Sequence, residues 1–247
     1  MKKLKYIGAY FSPLLALLSF QLQGFGAFLC IFTLYVIVPI SEQFLPQDTY
    51  NLSKAEKELA KDDPFYDWIL YLLVPLHLFV IYTFLVKISS PEIQVIEIIA
   101  YTMTIGTILG VNGINGGHEL GHKTNEPVKL VCAHILLATS LQNHFMTYHN
   151  SGHHRDVATP NDLTTAKKGQ SFYHFAIQSQ IGGYFKTWKL EREKLLRQGK
   201  STFLNPMIIL TLIPWSLQAF IFIYFGWITG MLYLSLIHIS EPTRPSI

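Results

Sequence analysis

Hydrophobic and polar positions fall along this chain in long blocks. After the basic start Met1-Lys2-Lys3-Leu4-Lys5, no Asp, Glu, Lys or Arg occurs before Glu42. A transmembrane helix needs roughly 20 apolar residues, so this stretch is expected to hold two spans, at 7–22 and 25–45, with a tight return near Gln21 to Gly26. A basic start before an apolar stretch also resembles a signal peptide. No small-residue cleavage site leads into a soluble domain, however, and the chain goes back into the membrane. Residues 46–66 are polar and contain the formal glycosylation triplet Asn51-Leu52-Ser53. Ser53 with Glu56 three residues on fits a capping box on a short charged helix better.

Trp68 to Val86 forms a third span, with Pro75 placed to kink it. His77, inside it, is expected to bond to a neighbouring helix rather than ligate a metal. A fourth span, 95–112, leaves through Asn112-Gly113-Ile114-Asn115-Gly116-Gly117, a glycine-rich exit expected to turn closely before His118. The apolar segment Leu130 to Gln142 would reach only about 20 Å as a helix, short of a core about 30 Å thick. It is expected to be re-entrant or interfacial, because crossing would send the histidines on its two sides to opposite compartments. Residues 157–203 are polar, and KTWKLEREKLLRQGK there has the pattern of an amphipathic surface helix whose charges face solvent, headgroups or a partner. A fifth span at Leu204 to Trp227 and a sixth from about Ile228 complete the expected fold: all-α, polytopic, about six transmembrane helices.

Composition agrees: half of the 247 residues are hydrophobic and 14% charged, against about 25% in soluble domains. Placement of charge says more than the net +3. Lys2, Lys3 and Lys5 hold the N-terminus in the cytoplasm, and four crossings bring the chain back there at His118. Arg155 to Phe203, with nine Lys or Arg against four Asp or Glu, suits a cytoplasmic loop. The expected site is the inner membrane, with the chemistry on its cytoplasmic side. Cys30 and Cys132 lie in apolar surroundings and are expected to be small core residues. No basic run is interleaved with aromatics, so nucleic acid is not an expected partner.

Seven of the ten histidines fall between Gly117 and Asp156. His118, Glu119 and His122 form H-E-x-x-H; His149, His153 and His154 form H-x-x-x-H-H. Helix positions i and i+4 share a face, so His118 and His122 can clasp one metal, as can His149 and His153. His154, rotated by about 100° from His153, points elsewhere, which suits two adjacent metals. Five imidazoles exceed a tetrahedral zinc and suit iron, copper or nickel as well; paired iron adds redox activation of dioxygen. His134 is expected to be packed and hydrogen-bonded, and His144 to support a ligand from behind. H-E-x-x-H alone also fits a membrane zinc peptidase with Glu119 as general base, but the second group would then have no role. A metal transporter or haem-holding protein would place its histidines within spans; these lie beyond span ends.

At these residues the sequence resembles the membrane-bound alkane 1-monooxygenases, within the fatty-acid desaturase and hydroxylase superfamily. The carriers are HELGHK at 118–123 and YHNSGHHRDVATPND at 148–162, with further likeness at GQSF (169–172) and Leu190-Glu191, over about residues 1–235. The resemblance implies a non-haem di-iron centre of two irons, with His118, His122, His149, His153 and His154 as ligands. Glu119 would support them, and no catalytic residue is implied beyond the metal centre. It further implies terminal hydroxylation of alkanes by dioxygen, with electrons from rubredoxin and its reductase; another desaturase or hydroxylase of the superfamily is the alternative. The family's Glu before the second box is Tyr148 here, so a carboxylate role at that position is absent or moved. The family's N-Y-x-x-H-Y-G element and final H-x-x-H-H box have no counterpart. Residues 236–247 are therefore expected to be a non-native tail on a truncated domain, short of ligands and inactive as written.

Overall fold

The computed structural model describes residues 2–46, 53–54, 56, 63–123 and 125–236. The Asn51-Leu52 part of the triplet and all of the expected tail after Leu236 lie outside the described residues. Every regular element among the described residues is helical, as the block pattern requires. Where the Ser53 cap is described it holds: the Glu56 amide donates to Ser53 Oγ (3.3 Å) and the Ser53 amide to Glu56 Oε2 (2.9 Å).

Among the described residues four helices are long and apolar enough to cross a membrane: α2 (Gly24–Glu42), α3 (Pro64–Ile88), α4 (Val95–Gly121) and the run Thr202–Phe225, whose α-helical part is Met207–Phe225. The other two expected spans differ. The first is a 3₁₀ stretch, Lys2–Tyr10, running into α1 (Phe11–Ser19). At about 2.0 and 1.5 Å per residue the two together reach roughly 31 Å, but Lys3 and Lys5 occupy the beginning. The sixth, Trp227–Leu236, is described over ten residues. It is separated from the fifth by Gly226, whose φ of 86° only glycine adopts without strain.

By compactness the described chain divides into two units, one running to Gly116 and resuming at Ile221, the other spanning Gly117–Phe220. The first is held by Phe20, Phe84 and Tyr101, all buried, with the rings of Phe20 and Tyr101 edge to face at 5.2 Å. Polar groups within it are paired across helices: Tyr101 O–H donates to the Leu22 carbonyl (2.8 Å) and the Gly24 amide to buried Glu97 (3.0 Å). Gln94 and Glu97 also form the capping box that starts α4. Cys30 and Cys132 are both free; Cys30 is buried, as expected of a small core residue, whereas Cys132 is partly exposed. Pro75 sits inside an unbroken α3, and His77 is fully buried there.

The second unit contains the end of α4, α5 (Pro127–Thr139), a helical run over 145–156, and α6 (Gly183–Arg197). The glycine exit is not a turn. Leu109–Ile114 is a π-helical stretch, and α4 continues through it to Gly121. Close packing is what the glycine provides. A Cβ on Gly117 would stand 2.7 Å from Leu137 Cγ and 3.2 Å from the Ala133 carbonyl of α5. α5 is a thirteen-residue helix, as its short apolar run implies.

Candidate metal centre

Five imidazoles come from two local pieces of helix. His118 and His122 lie at the end of α4 one turn apart, and their Nε2 atoms are 2.9 Å from each other. This is the i, i+4 face read from the sequence. The second group departs from expectation. His149–His153 is a π-helix, in which the bonded repeat is i to i+5. The residue brought back over His149 is therefore His154, not His153: Nε2 of His149 and His154 are 2.9 Å apart. His118 Nε2 also lies 2.9 Å from His149 Nε2. The two groups thus meet in one cluster.

The result is a row of four ring nitrogens, His122–His118–His149–His154. A neutral imidazole nitrogen carries either one hydrogen or one lone pair, and His118 and His149 each face two others. The three contacts cannot all be hydrogen bonds. The ring nitrogens of His118, His122 and His149 all lie within 4.8 Å of one another, close enough to share one metal ion. Burial, then the neighbouring imidazoles of His118, His154, His122 and His153, push His149 down to about 3. It is neutral and able to ligate at physiological pH. Phe145 stacks on its ring at 5.2 Å.

His153 is the fifth. Its Nδ1 lies 2.8 Å from Asp162 Oδ2 and 2.8 Å from Thr164 Oγ1. The Thr164 hydroxyl donates to Asp162 Oδ1 (2.8 Å); the network therefore assigns the His153 proton to Nδ1 and leaves Nε2 with a free lone pair, able to ligate. Asp162, 2% exposed, also receives the Tyr148 O–H (3.1 Å), the Thr164 amide (3.0 Å) and the Thr165 hydroxyl. Burial alone would raise this carboxyl. The bonds from Thr165, Thr164 and His153 outweigh it and hold it down to about 2. Burial pushes Tyr148 up to about 12, so it remains a donor to Asp162 while accepting the Leu163 amide (3.0 Å). Gly152 gives the Tyr148 ring its room, since a Cβ there would meet it at 2.6 Å.

Tyr148 and Asp162 were missed as site residues. The signal was an acid placed nine residues after His153, beyond a Thr-Pro turn, in a segment poor in acids. Asp162 places a carboxylate behind His153, and Tyr148 donates to it. The two residues expected to support the ligands do not touch them. Glu119 is exposed and, among the described residues, hydrogen-bonds to none of the five imidazoles. The His144 ring packs edge-on against Tyr184 at 5.3 Å, and burial holds it down to about 4.

The profile of the fatty acid desaturase family matches residues 96–239. Alkane 1-monooxygenase 1 of Alcanivorax borkumensis is 35% identical over 192 residues, 75% of this chain and 47% of that protein. Alkane 1-monooxygenase of Pseudomonas putida is 31% identical over 217 residues, 85% of this chain and 54% of the relative. That of Ectopseudomonas oleovorans is 32% identical over 206 residues, 80% and 51% of the two chains. The chain spans about half the length of the curated relatives it matches.

Proposed function

The chain belongs to the fatty acid desaturase family, and from that premise we propose that the whole protein is a non-haem di-iron monooxygenase. It would hydroxylate the terminal methyl of alkanes with dioxygen, taking electrons from rubredoxin and its reductase. The observation that carries the reading is the row of four imidazole nitrogens 2.9 Å apart, joined to similarity with alkane 1-monooxygenases. His118, His122, His149 and His154 would hold metal through Nε2, and His153 through the Nε2 that Asp162 leaves open. Bound iron supplies the redox activation of dioxygen.

The chain's own residues prepare that site. Asp162 keeps the His153 proton on Nδ1, and Tyr148 and Thr164 fix the carboxylate in turn. Phe145 covers one face of His149. The protein is proposed to lie in the inner membrane with this cluster on the cytoplasmic side, the orientation following from Lys2, Lys3 and Lys5. The exposed cations Lys189, Arg192, Arg197 and Lys200 on and after α6 are proposed to meet an acidic electron carrier. Five imidazoles would be few ligands for two iron ions, so this chain by itself is proposed to retain iron poorly and not to turn over.

Metal analysis and alkane-dependent oxygen uptake on the full-length protein, with rubredoxin supplied, test the reading. Two irons per chain with primary alcohol as product support it. Zinc with peptide cleavage, or a double bond in place of the alcohol, overturns it.

A further inference from the structure

Within the second unit a cavity of about 560 Å³ lies between α5 and the start of the Thr202–Phe225 run, in the range of small-molecule sites, about 300–1,000 Å³. Its walls are aliphatic, with Ile135, Ile209, Leu210 and Ile213. Five polar or charged side chains break that surface: His134, Asn143, Thr147 and the Glu191–Lys194 pair. Asn143 is fully buried, and among the described residues neither its Nδ2 nor its Oδ1 has a hydrogen-bond partner of good geometry. His134 lies within hydrogen-bonding reach of this amide, but its buried Nδ1 likewise has no partner of good geometry. Buried polar groups are otherwise nearly always paired.

The backbone spends strain to place them. α5 ends in a Schellman arrangement: the Gln142 amide donates to the Leu137 carbonyl (2.9 Å) and the Leu141 amide to the Ala138 carbonyl (3.2 Å). The left-handed position of this motif, usually glycine, is Leu141 at φ 54°. This turn carries Asn143 into the wall of the cavity. The acid that lines the same cavity, Glu191, is 5% exposed and pairs with Lys194 at 3.3 Å. A carboxylate headgroup would meet this acid, and Lys194, the lysine on the same wall, is already paired with it.

We propose that this cavity binds a single-chain primary alcohol, its alkyl chain along the aliphatic wall and its hydroxyl at Asn143 and His134. The hydroxyl is the smallest neutral group that both donates and accepts, as an open amide and an open imidazole nitrogen require. An alkane has nothing to offer them, and a carboxylate meets Glu191. The choice of a product-like alcohol rests on the function proposed above; the pocket and its unmatched groups do not. The same chemistry could come from a lipid hydroxyl, so the test separates the two sources.

The probe is 1-dodecanol carrying a mid-chain diazirine, photolysed on the purified full-length protein in lipid nanodiscs, with labelled peptides mapped by mass spectrometry. Label is expected on residues 131–143 and 206–213, displaced by unlabelled 1-dodecanol at about one-tenth the concentration needed for dodecane or dodecanoate; about tenfold is what one net hydrogen bond contributes. Asn143→Leu should abolish that preference with iron content and initial dodecane turnover unchanged. Ile209→Trp should remove the label by filling the cavity, which keeps the test alive if Asn143→Leu does not fold. Label spread over the lipid-facing surface, equal competition by dodecane, or displacement by diacylglycerol but not by 1-dodecanol would overturn the proposal. If the protein proves not to hydroxylate alkanes, the labelling and its competition are still read directly.

Discussion

Replacing Asp162 by Asn removes one charge and barely changes shape, so its effect isolates what the carboxylate does for His153. Asp162 accepts from five donors: on Oδ1 the Tyr148 hydroxyl, the Thr164 amide and the Thr164 hydroxyl, and on Oδ2 His153 and the Thr165 hydroxyl. An amide presents two N–H donors on one side. Whichever way it turns, two or more of those donors face another donor, and the remaining bonds lose their charge assistance. Hydrogen bonds to a charged acceptor contribute about 1.5–3 kcal/mol and are not additive, so Asp162→Asn is expected to destabilise the metal-free protein by about 3 kcal/mol. Unfolding can be followed with a thiol-reactive dye that reports buried Cys30. The His153 proton is then free to move to Nε2, and metal affinity should fall about 10- to 100-fold, the usual cost of losing the partner behind a ligating histidine. Anaerobic Fe(II) titration against a competing chelator reads it. If Asp162→Asn binds iron within twofold of the parent while His153→Ala does not, the proposed role of Asp162 is wrong.

Other expectations are smaller and separable. Tyr148→Phe removes one donor to Asp162 and should cost about 1 kcal/mol with a lesser drop in iron affinity; a drop equal to that of Asp162→Asn would contradict the order of the network. Ala158, at φ 62° in the turn before Asp162, should gain about 0.5–1 kcal/mol as Gly, seen as a higher unfolding midpoint with unchanged iron content. Gly117→Ala drives a Cβ into Leu137 and the Ala133 carbonyl. It should cost about 1–3 kcal/mol and lower iron occupancy by shifting His118, whereas a silent substitution would mean that α4 and α5 are not in close contact. Charge reversal at Lys189, Arg192 and Arg197 should slow reduction by rubredoxin about tenfold at low salt. The difference should shrink as ionic strength rises, and rates with no such dependence would place the electron carrier elsewhere.

Much of this molecule follows from local pattern. Uncharged runs of span length dictate helices because a backbone in hydrocarbon must satisfy itself internally, and α2, α3, α4 and Thr202–Phe225 appear where those runs are. The short α5 follows from its length, and the His118–His122 pair from a repeat of 3.6 residues. Those are consequences of residues a few positions apart.

What the tertiary structure alone decided begins where the regular repeat fails. A helix of ordinary pitch pairs His149 with His153; the π-turn, which no spacing rule announces, pairs it with His154 and turns His153 toward Asp162. Glu119, adjacent to a ligand in sequence, makes no bond to the cluster, while Asp162, nine residues from His153, orients it. The glycines before His118 promised a turn and instead admit Leu137 to the side of a continuous helix. Sequence determined that these histidines could bind metal, because ligating atoms and helical periodicity are local. Which imidazole faces which, and through which nitrogen, depends on hydrogen bonds and packing between segments distant in sequence, and only the folded chain sets those.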